Sequence, residues 1–225
     1  MSRSVQKTAS PQRAHYHHGA LQDVLVAAAD AILVERGIDG FSLREAARRA
    51  GVSPAAPAHH FRSAAGLLSE VAARGFEELI RHLREGAAEA GSDPLARLRG
   101  QGIGYVRFAL AFPGRFHLMF NKERLEKDHP RLRAAARAAH VELEQATRDY
   151  LGPAASERAV AAAAAGGWSL AHGFAHLAID GKFEGLSKKK EGSRVEALLA
   201  DLLPAVLANF RPIPEPRRRT PGKQS

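Results

Sequence analysis

A chain of 225 residues with 33 Lys and Arg against 24 Asp and Glu carries a formal charge of +9, is 45% hydrophobic and contains no cysteine. That length suits a small unit joined to a larger one, and the lack of cysteine excludes a disulfide framework, a thiolate metal site and a thiol nucleophile. The charge alone does not identify a nucleic-acid binder: residues 1–20 hold Arg3, Lys7 and Arg13 with no acid, residues 211–225 hold four Arg and one Lys against Glu215, and about +2 is left for the middle.

The N-terminus lacks the apolar segment of a secretory signal, and no run reaches the ~18 apolar residues of a membrane span, so a cytoplasmic protein without a membrane partner is expected. Residues 1–18 read as a flexible basic arm able to lie along phosphates. Within it, His15-Tyr16-His17-His18-Gly19 invites a metal. Three histidines without acids or thiolates do not make a preorganised site, and neither metal nor cofactor is expected. From Gly19 to Arg36, apolar residues at Leu21, Val24, Leu25, Ala28, Ile32 and Leu33 follow a helical period that Gly37 ends.

Phe41 to Phe61, FSLREAARRAGVSPAAPAHHF, reads as a helix-turn-helix. Ser42 and Glu45 have the spacing of a capping box, so a helix starts at Leu43, with Phe41 and Ala46 at hydrophobic-staple positions. Gly51 supplies the left-handed conformation that closes it near Ala50. Ser53 then caps a second helix whose first position is Pro54, where no N–H is needed. Such a pair of short, closely spaced helices puts the second into the major groove. The preceding helix and Phe61 complete a small core. Ser53, Pro54, Ala55, Ala56 and Ala58 offer few hydrogen-bond donors, so base reading is partly apolar, through alanine contacts with thymine methyls. Arg44 is the candidate for a guanine or a phosphate, and Ser42, His59 and His60 are candidates for phosphate oxygens. Pro57, near the start of the second helix, predicts an irregular first turn.

On Gly51-Val52-Ser53-Pro54 and His59-His60-Phe61 the chain resembles the TetR family of bacterial transcriptional regulators, over nearly its whole length. The resemblance implies an all-α fold of about nine helices: a DNA-binding domain over residues 19–64, then a domain over 65–210 that binds an effector and dimerises. Many relatives carry Tyr and Lys where this chain has Ala58 and Ala64, both usual phosphate contacts. The partners implied are a double-stranded DNA operator, an unidentified small molecule and a second copy of the chain.

Beyond Phe61 the composition predicts helix throughout. One helix from about Ala65 to Ala90 directs Leu68, Val71, Phe76, Leu79, Ile80 and Leu83 inward. Another, capped by Asp93-Pro94, runs to the Pro113-Gly114 break. A short helix then reaches Phe120, another spans Pro130 to Leu151, and two more occupy about Ala155–Ile179 and Ser193–Phe210. Residues 182–192 read as a loop and 211–225 as a disordered basic tail. Phe108, Phe112, Phe116 and Phe120 recur every four residues, with His117 among them. Such a stripe is commonly core, but the equivalent helices of TetR relatives surround an effector cavity, and aromatic walls suit an apolar or aromatic ligand. Trp168-Ser169-Leu170-Ala171-His172-Gly173 resembles the Trp-His-Gly type of C-terminal domain found in a TetR subgroup. His172 and His176, one turn apart, are candidate ligand-binding groups beside Trp168.

The last expected helix has an apolar stripe, including Leu199, Leu202, Leu203 and Val206, wider than one bundle face requires. Gly166-Gly167 in the helix before it costs about 1 kcal/mol relative to alanine, which suggests close backbone approach. With the family resemblance, these positions are the expected homodimer interface. The function expected is a bacterial repressor released from a near-palindromic operator by its effector. A DNA-binding regulator without an effector is the first alternative. A metal-dependent helical-bundle enzyme is less well supported, because its chemistry needs two Glu-x-x-His pairs and the chain offers one, Glu126 and His129. No catalytic residue is expected, and Gly100-Gln101-Gly102-Ile103-Gly104 lacks the spacing and preceding strand of a nucleotide site.

Overall fold

The computed structural model describes residues 11–183, 197, 198, 201 and 202. Among these residues it is all-helical, with eight α-helices, one 3-10 turn and no strand: α1 (Pro11–Arg36), α2 (Leu43–Arg49), α3 (Ala56–Phe61), α4 (Ala64–Glu89), α5 (Pro94–Ala111), α6 (Pro113–Phe120), the turn Lys122–Arg124, α7 (Pro130–Leu151) and α8 (Glu157–Ile179). Of the expected last helix, only residues 197, 198, 201 and 202 are described. Leu199, Leu203, Val206, most of the expected loop at 182–192 and the tail lie outside the described residues.

Local chemistry sets most helix ends. Asp93 Oδ2 accepts the Ala96 N–H at 2.8 Å to start α5, and Ser156 Oγ accepts the Ala159 N–H at 3.3 Å, so α8 is capped by Ser156 and not begun at Ala155. At α1 the expectation is corrected. The helix begins at Pro11, so His15, His17 and His18 belong to a helix and not to an extended arm. Proline at the first helical position has its φ preset and lacks an N–H that would be unpaired anyway, while Gly19 is a tolerable interior glycine.

The described residues form two compact units, residues 11–81 with 108–139, and residues 82–107 with 140–183. In the first, α1 packs on both α2 and α6, and α2 on α3. Two neighbours explain why the buried face of α1 is broader and rotated from the expected stripe: Leu25, Ala28, Ile32 and Leu33 are buried as expected, Val26 and Ala29 join them, and Val24 is exposed. Leu67, Leu68, Val71, Phe76 and Leu79 of α4 add to the core. Arg115 on α6 grips Asp30 on α1 through two nitrogens, and a Cβ at Gly114 would lie 2.7 Å from the Leu33 carbonyl, so these two helices touch almost backbone to backbone. The exposed pairs of Arg124 with Asp39 and Arg131 with Glu77 are worth at most about 1 kcal/mol each.

In the second unit the end of α4 meets α5 with glycines at the closest approach. A Cβ on Gly86 or on Gly100 would sit 2.2 Å from the other's carbonyl oxygen, and one on Gly104 would sit 2.1 Å from the His82 carbonyl oxygen. The Gly100–Gly104 segment is therefore a packing groove. Leu83, Ala87, Tyr105, Val106, Val160, Ala164, Ala171, Phe174 and Ala175 form the core of this unit.

Candidate DNA interface and ligand-site residues

Ser42 starts α2 as its sequence predicts, its Oγ accepting the Glu45 N–H at 3.2 Å. The reciprocal half of the capping box is replaced. Arg48 and Arg49 hold the Glu45 carboxylate at 2.8 to 2.9 Å, and Arg49 also reaches Glu35 on α1 at 2.6 Å. Arginines one turn further along the helix compete better for that carboxylate than a single backbone N–H. Gly51, at φ 66°, closes α2 in a Schellman turn, with Val52 N–H donating to the Ala47 carbonyl at 3.1 Å and Gly51 N–H to that of Arg48 at 3.3 Å.

The recognition helix departs from the sequence reading. Ser53 and Pro54 do not begin it: the Ala56 N–H bonds the Ser53 carbonyl at 3.0 Å in a turn, Ala55 is the N-cap, and α3 starts at Ala56. Starting two residues late puts Pro57 in the first helical turn, where its missing N–H costs nothing, and Pro57 is buried. Ser42, Arg44, Ser53, Pro54, Ala55, Ala58 and His59 are exposed, while Ala56, His60 and Phe61 are half-buried. With Glu45 and Glu35 engaging Arg48 and Arg49, Arg44 is the arginine of α2 that has no carboxylate partner among the described residues.

Arg62, just past α3, has φ 64° and ψ −43°, and Ser63 N–H bonds the Phe61 carbonyl at 2.7 Å across it, a γ-turn that a non-glycine residue adopts only under strain. What holds it lies on both sides. Ser63 Oγ accepts the Gly66 N–H at 2.9 Å and donates to Glu126 Oε1 at 3.0 Å, while Glu126 N–H donates to the buried Ser69 Oγ at 2.8 Å. A Cβ at Gly66 would lie 2.0 Å from the Phe61 carbonyl oxygen, which fixes α3 tightly against α4. Arg62→Gly is therefore expected to stabilise the fold by about 1 kcal/mol, seen as a higher Tm. An unchanged or lower Tm would show that the turn carries no strain.

Acid should loosen this unit. Hydrogen bonds from Arg48 and Arg49 hold the Glu45 carboxyl down at about 2, and Arg49 lowers that of Glu35 below the usual range. Between those values and the ordinary carboxylate pKa the unfolded chain binds more protons than the folded one, so this stability is complete above about pH 4.5 and lost as the pH falls toward 2. Thermal melts should show the Tm gap between wild type and Glu45→Gln narrowing across that window. A gap constant with pH would refute the pairing.

Of the expected effector residues, the phenylalanines lie in the first unit. Phe108 and Phe116 are fully buried, with Phe108 and Phe112 rings 5.6 Å apart, Phe116 and Phe120 rings 5.3 Å apart, and the Arg115 guanidinium 5.0 Å over Phe112. The His117 ring stands 6.1 Å from that of Phe116. Trp168, His172 and His176 lie in the second unit, in a row along α8 with ring centroids 5.9 and 4.7 Å apart. Tyr105 on α5, which sequence reasoning missed, joins them. Its Oη lies 2.8 Å from His172 Nδ1 and accepts the Trp168 indole N–H at 3.3 Å. Burial pushes the Tyr105 phenol well up, and burial with the neighbouring His176 lowers His172, so the phenol and the His172 imidazole are both neutral near pH 7. A tyrosine one helical position before Val106 carried no polar signal of its own in the sequence. The isolated Glu126–His129 pair has local structural roles, as His129 Nδ1 accepts the Leu132 N–H at 3.3 Å at the start of α7.

Residues 25–71 match the family described as bacterial regulatory proteins, tetR family, and residues 98–202 match the tetracyclin repressor-like C-terminal domain. Among solved structures, a protein of unknown function from Rhodococcus sp. RHA1 is 32% identical, with 84% of this chain and 95% of that one covered and a TM-score of 0.68. The TetR family transcriptional regulator PfmR from Thermus thermophilus has the same fold at 19% identity, 89% and 97% coverage and a TM-score of 0.59. So does a transcriptional regulator from Rhodococcus sp. RHA1, at 22% identity, 83% and 96% coverage and a TM-score of 0.61. None of the curated proteins matches. The chain belongs to the TetR family, and it is a DNA-binding transcriptional regulator. No helix among the described residues is long and apolar enough to cross a membrane.

Proposed function

We propose that this regulator is a homodimeric, non-enzymatic cytoplasmic repressor that binds a near-palindromic operator and leaves it when a small apolar or aromatic molecule binds. One observation carries the DNA half of this reading: Ser53 to Ala55, Ala58 and His59 are exposed on a segment held rigid from behind by buried Pro57 and by Gly66. Ala55 and Ala56 read thymine methyls, Arg44 a guanine or phosphate, and Ser42, His59 and His60 the backbone. Residues 19–64 are the reading domain and 65–210 the effector and dimerisation domain. Phe108, Phe112, Phe116, His117, Phe120, Trp168, His172 and His176 are the proposed effector contacts.

For the dimer, Gly166, Gly167, Leu199, Leu202, Leu203 and Val206 remain the proposed interface. Support comes from α8, where Leu177 is 47% exposed and a Cβ at Gly167 would meet no described atom within 4 Å. A twofold pair would set its recognition helices about 34 to 36 Å apart, or a multiple of that, across two half-sites. An effector works only if it prefers the conformation that cannot span both. Gel-shift titration with DNA flanking its own gene, with and without a panel of aromatic compounds, tests both halves. Sequence-specific retention that one compound abolishes is the expected result. No preference over random duplex at low salt would reject the DNA half, and retention that even the physiological ligand leaves unchanged would reject the effector half.

A further inference from the structure

Gln101, on α5 one turn before Tyr105, is 6% exposed, and its Oε1 is sealed from solvent without a hydrogen-bond partner among the described residues. Orphaning a buried amide oxygen costs about 1 to 3 kcal/mol, and such groups in native folds call for a partner. Residues four apart on a helix share a face, with about 5 to 6 Å between their Cβ atoms, so Gln101 lies one turn from Tyr105 on the same face of α5, and Tyr105 in turn bonds Trp168 and His172. Trp168 Nε1–H donates to the Tyr105 Oη, which shares a hydrogen bond with His172 Nδ1. No member of this group bears a charge. Arg99 stands two positions from Gln101, about 200° around α5.

We propose that this cluster is the polar subsite of the effector pocket, and that it takes a neutral group able both to donate and to accept hydrogen bonds, a carboxamide or a hydroxyl on an aromatic body. Gln101 is the specificity-determining residue: its orphaned Oε1 is an acceptor, which the N–H of a carboxamide or the O–H of a hydroxyl satisfies and a hydrocarbon does not. A carboxylate or ammonium would have to leave its hydration behind to reach a group this closed. This inference rests on the effector reading above and adds the chemistry of the ligand.

Trp168 is the single tryptophan of the chain, and its indole N–H belongs to the subsite, so its emission reports occupancy. The full-length protein would be titrated with benzamide, phenol, benzoate, benzylammonium and toluene. Benzamide or phenol should change the emission saturably, with a Kd at least about ten-fold below those of benzoate, benzylammonium and toluene. Gln101→Leu should keep or raise the Tm, weaken benzamide about ten-fold or more and strengthen toluene. Equal affinities across the series, tighter binding of benzoate or toluene, no saturable change with any probe, or a Gln101→Leu variant that binds benzamide as wild type does would each overturn the proposal. Should the leucine variant fail to fold, the wild-type series decides alone. Operator gel shifts on the same samples separate the two readings. Benzamide that binds without altering operator affinity keeps the subsite and rejects its effector role. Operator release by toluene or benzoate keeps the effector role and rejects the subsite chemistry.

Discussion

Gly100→Ala should lower stability by about 2 kcal/mol, a fall in Tm of about 4 to 8 °C for a chain of this size. A methyl there would stand 2.2 Å from the Gly86 carbonyl oxygen, and that atom belongs to a helix backbone that cannot rotate aside as a side chain would. The propensity gain of alanine over glycine, about 1 kcal/mol, is too small to offset the clash. Gly167→Ala is the control: the same exchange inside a helix, but with no described atom within 4 Å of the new methyl. Its melting temperature should hold or rise, and any cost should appear in the dissociation constant of the proposed dimer. If both variants melt alike, the close crossing of α4 and α5 does not exist.

Arg44→Ala should weaken specific operator binding by about 1 to 3 kcal/mol, roughly 5- to 150-fold, if the guanidinium makes a bidentate base contact. The loss should fall on one base pair in each half-site. Arg48→Ala is the comparison, because Arg48 already holds Glu45 at 2.8 Å and has less to give to DNA. If Arg44 touches a phosphate, binding would weaken uniformly across sequences and the salt dependence would drop by about one charge. An affinity and preference equal to wild type would exclude both roles. Because the segment from Ser53 to Ala58 presents so few donors, the effect expected of Arg44→Ala is correspondingly large.

Elements whose ends are written in local chemistry were legible in the sequence: Ser42, Gly51, Asp93 and the Pro113 break each act within a few residues of themselves. The start of α3 was misread because Ser53-Pro54 and Pro57 make competing claims on one helix, and the second proline prevails by falling in the first turn. Periodicity found the buried face of α4, including Leu68, Val71 and Leu79, but missed the turn of the α1 face, since only the tertiary partners α2 and α6 set it. Gly86, Gly100 and Gly104 gave no signal as a group because their pairing joins separate helices. Gln101 and Tyr105 were invisible for a related reason: a polar residue on a helix looks solvated until the fold removes its water.

Helices that meet through side chains can slide past one another by changing rotamers, as packed methyl groups exchange one notch for the next. The contact at Gly86, Gly100 and Gly104 has no such layer. The last turns of α4 and the facing part of α5 therefore shift together, with no side-chain layer at these three glycines to take up the movement.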